Sequence, residues 1–195
     1  MMGYRLDRLA VLIVDDNQHM RSLVRTILES LGVSQILEAR DGSHALEKMG
    51  QAQIDLLIAD WNMEPMDGLE LTRHLRNSPE SPDQFVPVIM LSGHTERARV
   101  MQARDAGVTE FMAKPVSARS LYARIVSIIE NPRPFVRTND YFGPDRRRQM
   151  LPFEGPDRRK PGGSGSAAHG QAALSGDQQA ALKRTKDTIK SMQKS

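Results

Sequence analysis

Four places along the chain put a chemically capable side chain at the end of a strand-sized apolar run. Asp15 and Asp16 follow Leu9–Val14, Asp60 follows Asp55–Ala59, Ser92 follows Val86–Leu91, and Lys114 comes just after Thr109–Met112. Taken singly, each is ordinary. An Asp-Asp pair after a strand more often makes a turn or a helix cap, and a lone Asp, Ser or Lys there is usually surface. Their coincidence carries the weight, because in a parallel sheet these ends share one edge. Three carboxylates at that edge repel one another unless a divalent cation sits between them. The chain has no Cys, and an oxygen-only donor set favours Mg²⁺, which also neutralises phosphoryl oxygens. A hydroxyl and an ammonium at the same edge can hydrogen-bond a phosphoryl group and offset its charge. Phosphoryl transfer asks little more of a protein than positioning and charge stabilisation.

The elements that must position these groups are legible. The five apolar runs Leu9–Val14, Gln35–Ala39, Asp55–Ala59, Val86–Leu91 and Thr109–Met112 read as strands, several too continuously apolar for a sheet with one wet face. Helical periodicity lies between them. His19–Leu31 places Met20, Leu23, Val24, Ile27, Leu28 and Leu31 at three- and four-residue spacing, with Gly32 as a stop. Ser43–Met49, Gly68–Arg76, Glu96–Ala106 and Ala118–Glu130 are the other helical segments. The expectation is an α/β fold: a five-stranded parallel sheet, doubly wound, with ligands bound beyond the strands' carboxyl ends.

Charge divides the chain. Residues 1–130 carry 14 Lys/Arg against 18 Asp/Glu, a net of −4, whereas residues 131–195 carry 13 against 6, a net of +7. A basic extension on an acidic domain suggests an anionic partner. No signal peptide or membrane span is legible, so the expectation is a cytoplasmic protein without a transmembrane segment.

The motifs Val11-Leu12-Ile13-Val14-Asp15-Asp16-Asn17, Asp60-Trp61-Asn62-Met63, Met66-Asp67-Gly68-Leu69-Glu70, Met90-Leu91-Ser92-Gly93 and Lys114-Pro115 resemble, in order and spacing, the receiver domains of response regulators, especially the single-domain CheY-like type with its flavodoxin-like fold. The resemblance spans about residues 8–130. It implies Asp60 as phosphoacceptor, with Asp16, Asp60 and the Asn62 carbonyl as Mg²⁺ ligands and Asp15 acting through water. It further implies Ser92 as switch hydroxyl, Lys114 as the phosphoryl's ion-pair partner, a cis Lys114–Pro115 bond, and Phe111 at the rotating-aromatic position. Plain core packing is the alternative for Phe111, which lacks the hydroxyl of Tyr. Two departures stand out: Ser92 replaces the commoner Thr, and Glu64-Pro65 sets the usual proline one residue further from Asp60. The second bears on the loop over the site and on phosphoryl lifetime. Receivers catalyse their own phosphorylation and hydrolysis with no separate substrate, so the expectation is a signalling protein rather than an enzyme.

After residue 130 the composition changes. Residues 131–161 hold six prolines and little apolar periodicity, so this segment is expected to be extended or disordered. It repeats Gly143-Pro144-Asp145-Arg146-Arg147 as Gly155-Pro156-Asp157-Arg158-Arg159 twelve residues later. A Gly-Pro-Asp turn would present each Arg pair in one direction. Beside guanine, Asp can accept from N1 and N2 while Arg donates to O6 and N7, and Tyr141, Phe142 and Phe153 add stacking surfaces. Two equal cassettes suit a ligand with two guanines and two phosphates, the character of cyclic di-GMP. The segment resembles the arginine-rich extension of the Cle family, CheY-like cyclic di-GMP effectors that act on the flagellar motor. By that resemblance Asp145, Arg146, Arg147, Arg148, Asp157, Arg158 and Arg159 bind the ligand, Arg133 and Arg137 add phosphate contacts, and Tyr141 adds its ring. A solvated basic tail binding polyanions without specificity is the alternative. Residues 162–176 read as a flexible linker and 177–195 as a basic amphipathic helix with Ala181, Leu182, Thr185, Ile189 and Met192 on one side.

The expected function is therefore that of a response regulator with two inputs: phosphorylation on Asp60 by a histidine kinase or phosphotransfer protein, and cyclic di-GMP on the tail. Its expected output is the flagellar motor switch, with recruitment to the flagellar pole. The alternative is a phosphorelay or phosphate-sink receiver whose tail only localises it. Specific DNA binding is not expected, because no recognition helix is present.

Overall fold

The computed structural model describes residues 4–138 and 140–146. Five strands, β1 (Ala10–Val14), β2 (Gln35–Ala39), β3 (Leu56–Asp60), β4 (Val88–Ser92) and β5 (Glu110–Ala113), alternate with α1 (Gln18–Ser30), α2 (Gly42–Gln51), α3 (Gly68–Asn77), α4 (Arg97–Ala106) and α5 (Ala118–Glu130). All strand pairs are parallel, in the order β2-β1-β3-β4-β5. This is the doubly wound, flavodoxin-like arrangement expected. Every residue of β1, β3 and β4 is buried, and the period of two divides them between the sheet's faces. Leu12, Val14, Leu57, Ala59 and Met90 pack with side chains of α2, α3 and α4, while Val11, Ile13, Ile58, Ile89 and Leu91 pack with α1 and α5.

Element ends follow local chemistry. β3 starts at Leu56 because the Asp55 carboxylate accepts the Ala10 N–H at 3.0 Å, and β4 starts after Pro87, which has no N–H to give. Asn17 caps α1 and Asp41 caps α2, while α3 and α5 begin with capping boxes, Asp67 with Glu70 and Ser117 with Ser120. α4 differs. Its first turn has no side-chain cap, it buries only Ala103 and Ala106, and it ends at Gly107 with φ 93°.

The described residues after α5 are extended, one of the two expected states, but they bury surface that their composition does not lead one to expect. Phe135–Arg137 (β6) and Phe142–Pro144 (β7) form an antiparallel hairpin packed on the domain. Phe85, Phe135 and Phe142 make a three-ring cluster with centroids 5.1–5.7 Å apart. Beside them lies Arg76, the last basic residue of α3, fully buried. Its guanidinium donates to the carbonyls of Gly107 (3.1 Å), Gln84 (2.8 Å) and Val86 (2.7 Å) and sits 5.1 Å from the Phe135 ring. Burial pushes it down to about 10, which leaves it charged at neutral pH. The anticipated Gly-Pro-Asp turn does not form at the first repeat, where Gly143 and Pro144 are strand. The reason is packing. A Cβ at Gly143 would lie 2.6 Å from the Tyr141 hydroxyl and 3.0 Å from Gly107 Cα, and the Asp145 N–H is drawn to the Pro134 carbonyl at 2.8 Å.

Arg147, Arg148, the second cassette with Asp157, Arg158 and Arg159, the linker and the terminal helix all lie outside the described residues. Among the described residues, no helix is long and apolar enough to cross a membrane.

Candidate functional site

The strand order reverses its direction of growth at β1, between β2 and β3, so a crevice opens beyond the carboxyl ends of β1 and β3. Asp15 and Asp16 follow β1 and Asp60 closes β3. One carboxylate oxygen from each lies within 4.8 Å of the others. Asp15 and Asp60 are buried and Asp16 is exposed. An all-oxygen, threefold anionic set of this span suits a hard cation whose coordination shell is about 4.2 Å across. Both oxygens of Asp15 are engaged, one by the Asn17 N–H at 2.8 Å and one by Lys114 at 3.1 Å. Asn62 is exposed, two residues beyond Asp60 at the same edge.

Lys114 reaches the cluster from the end of β5, with Nζ 2.9 Å from Asp60 and 3.1 Å from Asp15. Burial draws the Lys114 ammonium down, but the hydrogen bond and charge of Asp60, joined by Asp15, outweigh it and leave the group raised. Burial likewise raises the Asp60 carboxyl, against the pull of Lys114 and with a further push from Asp15. Ser92 closes β4, fully buried, and its hydroxyl bonds the backbone of His94 in both directions, to the carbonyl at 3.0 Å and from the N–H at 3.1 Å. The Lys114–Pro115 bond is cis, and so is Glu64–Pro65, which sequence reading does not anticipate.

Neighbours of Asp60 tie the site to α3 and α4. Gly68 opens α3 directly under Asp60, where a Cβ would overlap the Asp60 carbonyl oxygen. Trp61 is buried, edge-on to Phe111 at 6.4 Å and 5.1 Å from the Arg99 guanidinium of α4. Phe111 is partly buried against the α2–α3–α4 side of the core. Sequence reading misses Arg99 and Arg76, since nothing in a helical pattern says which cation finds an aromatic ring.

The described tail residues lie at the opposite end of the sheet. Arg133 pairs at 3.1 Å with Glu110, the first residue of β5, which Arg124 also meets at 3.2 Å. Arg137 stacks 4.2 Å over Phe142. Tyr141 is buried and donates its hydroxyl to the Pro144 carbonyl at 2.7 Å. Arg146 lies 3.8 Å over the Tyr141 ring and 3.3 Å from Asp105 near the end of α4. The structure therefore brings Asp15, Asp16, Asp60, Ser92 and Lys114 to one edge and Arg133, Tyr141 and Arg146 to the other.

Comparison with known proteins agrees with this geometry. The response regulator receiver domain profile matches residues 11–126, more than half of the chain. Chemotaxis protein CheY-3 of Vibrio cholerae is 34% identical over 120 residues, covering 62% of this chain and 91% of that protein. Chemotaxis protein CheY of Pseudomonas aeruginosa is 35% identical, covering 62% and 95%. Among solved structures, V. cholerae CheY4 aligns with a TM-score of 0.56 at 29% identity, covering 62% of this chain and 98% of that one. The receiver domain of Francisella response regulator 1452 aligns with a TM-score of 0.56 at 27% identity, covering 61% and 94%. With the acidic crevice, the paired lysine and this match in hand, the chain belongs to the response regulator receiver family, and its receiver is CheY-like.

Proposed function

We propose that the protein is a two-input signalling adaptor, phosphorylated on Asp60 by a histidine kinase or phosphotransfer protein and bound by cyclic di-GMP through its arginine-rich tail, with the flagellar motor switch as its target. The observation that carries the first input is the convergence of three carboxylates, one lysine and one buried hydroxyl at the carboxyl edge of the sheet. An Asp60 carboxylate oxygen attacks the donor's phosphorus, the bond to the leaving group breaks, and an acyl phosphate forms. Lys114 pairs with the incoming phosphoryl oxygens, and Ser92 donates its hydroxyl to one of them. Asp16, Asp60 and the Asn62 carbonyl would hold Mg²⁺, with Asp15 acting through water. The ion, when bound, neutralises charge on the transferring group.

The second input rests on the duplicated Gly-Pro-Asp-Arg-Arg string and on Arg146, which already keeps the two kinds of partner a guanine nucleotide offers, an aromatic face and an anion. A ligand must take Arg146 from Asp105.

Two experiments test the proposal. Incubation with a small-molecule phosphodonor and Mg²⁺ should label the wild-type chain and leave Asp60→Asn unlabelled; labelling of Asp60→Asn would overturn the assignment. Calorimetric titration with cyclic di-GMP at moderate salt should give saturable binding to the full chain, weakened in Arg147→Ala and lost in a chain ending at Arg146. Undiminished binding by the shortened chain, or an equal response to cyclic di-AMP, would sink the messenger reading.

A further inference from the structure

One helix touches both ends of the sheet. At its start, α4 follows the loop in which Ser92 grips His94, and its Arg99 reaches the ring of Trp61, the neighbour of Asp60. At its finish, Asp105 pairs with Arg146, and Gly107 is wedged between Arg76 and the hairpin. A Cβ at Gly107 would lie 2.9 Å from Arg76 Cγ and 3.3 Å from the Phe142 carbonyl oxygen. Between those ends the helix is held weakly, by two buried alanines and no side-chain N-cap. An element with so little apolar burial is among the first to shift when its ends are pulled. Ten residues span about 15 Å, so a displacement at one end of α4 is felt at the other as a rigid-body shift.

We infer that the β6–β7 hairpin is a strap that holds α4 in the arrangement seen here and is coupled to phosphorylation of Asp60. This rests on the phosphoacceptor reading of Asp60. A phosphoryl group there competes with Asp60 and Asp15 for Lys114 and draws the Ser92 hydroxyl from the His94 carbonyl. Both changes pull on the loop that leads into α4. If α4 follows, Gly107 and Asp105 move against the hairpin, and the Arg146–Asp105 pair and the Gly107–Gly143 contact loosen. Coupling is reciprocal: a strap loosened first makes the phosphoryl-bound arrangement easier to reach. The rim pair is the place to intervene, because Asp105 and Arg146 are both part-exposed, with side-chain exposures of 48% and 38%, and their loss leaves the aromatic cluster and Arg76 untouched.

The test uses the full chain, Mg²⁺ and beryllofluoride as the phosphoryl mimic. Trp61, the only tryptophan, reports binding at Asp60 by its fluorescence, and hydrogen exchange read by mass spectrometry reports the hairpin. Beryllofluoride should reduce protection of residues 135–146 in wild type and not in Asp60→Asn. Asp105→Asn should lower the half-saturating beryllofluoride concentration by about fivefold, the low end of coupling between linked sites. Saturable binding with unchanged hairpin protection, or with no shift in Asp105→Asn, overturns the strap and leaves the phosphoacceptor standing. No binding at all removes the phosphoacceptor reading and the strap with it.

Discussion

A methyl group at position 68 would overlap the carbonyl oxygen of Asp60 and press on the Met90 sulfur, so glycine there lets α3 start directly beneath Asp60. Gly68→Ala should cost about 2 kcal/mol, the scale of overpacking in a closed core, and should slow phosphate incorporation as Asp60 is displaced; urea denaturation and phosphorylation rates measure the two effects. The ion pairs that tie α1 to β2 behave more simply. The hydrogen bond from Arg25 to Glu38, aided by Arg21, holds the Glu38 carboxyl below its ordinary range. A depressed carboxylate contributes stability that is fully present above its unfolded value and is lost as pH falls through the folded one. Glu38→Gln should therefore lower stability at pH 7 by about 1 kcal/mol, discounted for partial exposure, and should narrow its gap to wild type as pH falls below about 4.3, the ordinary glutamate value. Denaturant midpoints across that range check both the size and the sign.

Among the elements, the hairpin changes most from what composition suggests. A proline-rich stretch with few apolar residues reads as unable to bury surface, and taken by itself that reading is sound. Phe135 and Phe142 succeed because the domain already presents Phe85 and an aromatic-facing cation, Arg76. Phe142→Ala should destabilise the protein by about 3–5 kcal/mol, the range for truncating a buried ring, seen as a lower thermal midpoint. Arg76 makes the loss worse than a cavity alone, because water reaches a charge whose three carbonyl partners are arranged for a dry site. The core strands contrast with this: β1, β3 and β4 are legible as near-continuous apolar runs, since burial on both faces leaves no polar alternation to interpret.

For the molecule as a whole, the packing of the hairpin bears on where the receiver can be cut. A chain ending at Pro134 uncovers Phe85 and Arg76 and should lose at least about 3 kcal/mol relative to the full protein. A chain ending at Arg146 keeps every described contact of the hairpin and should retain the full thermal midpoint. Equal stability of the two would mean the hairpin is an ornament. The net charge of +7 on residues 131–195 adds a second test at this scale: nonspecific polyanion binding falls steeply with salt, whereas a guanine-reading site keeps selectivity at moderate salt. Comparing cyclic di-GMP with an unrelated polyanion at two ionic strengths separates the alternatives.

The amino-acid sequence by itself determined the sheet, its helices and the polar residues at the ends of β1, β3, β4 and β5. Those features are local: period, turn chemistry and the position of a charge after an apolar run survive without knowledge of the fold. It also carried the motif order that marks a receiver. Tertiary structure alone decided that Lys114 bridges Asp60 and Asp15, that Trp61 touches Phe111 and Arg99, and that Gly143 and Pro144 of the first cassette are strand rather than turn. The reason is separation along the chain. Lys114 is 99 residues from Asp15, and Arg76 meets Gly107 across 31. At such distances partners are chosen by the geometry of packed layers, and no pattern within a window of sequence records that choice.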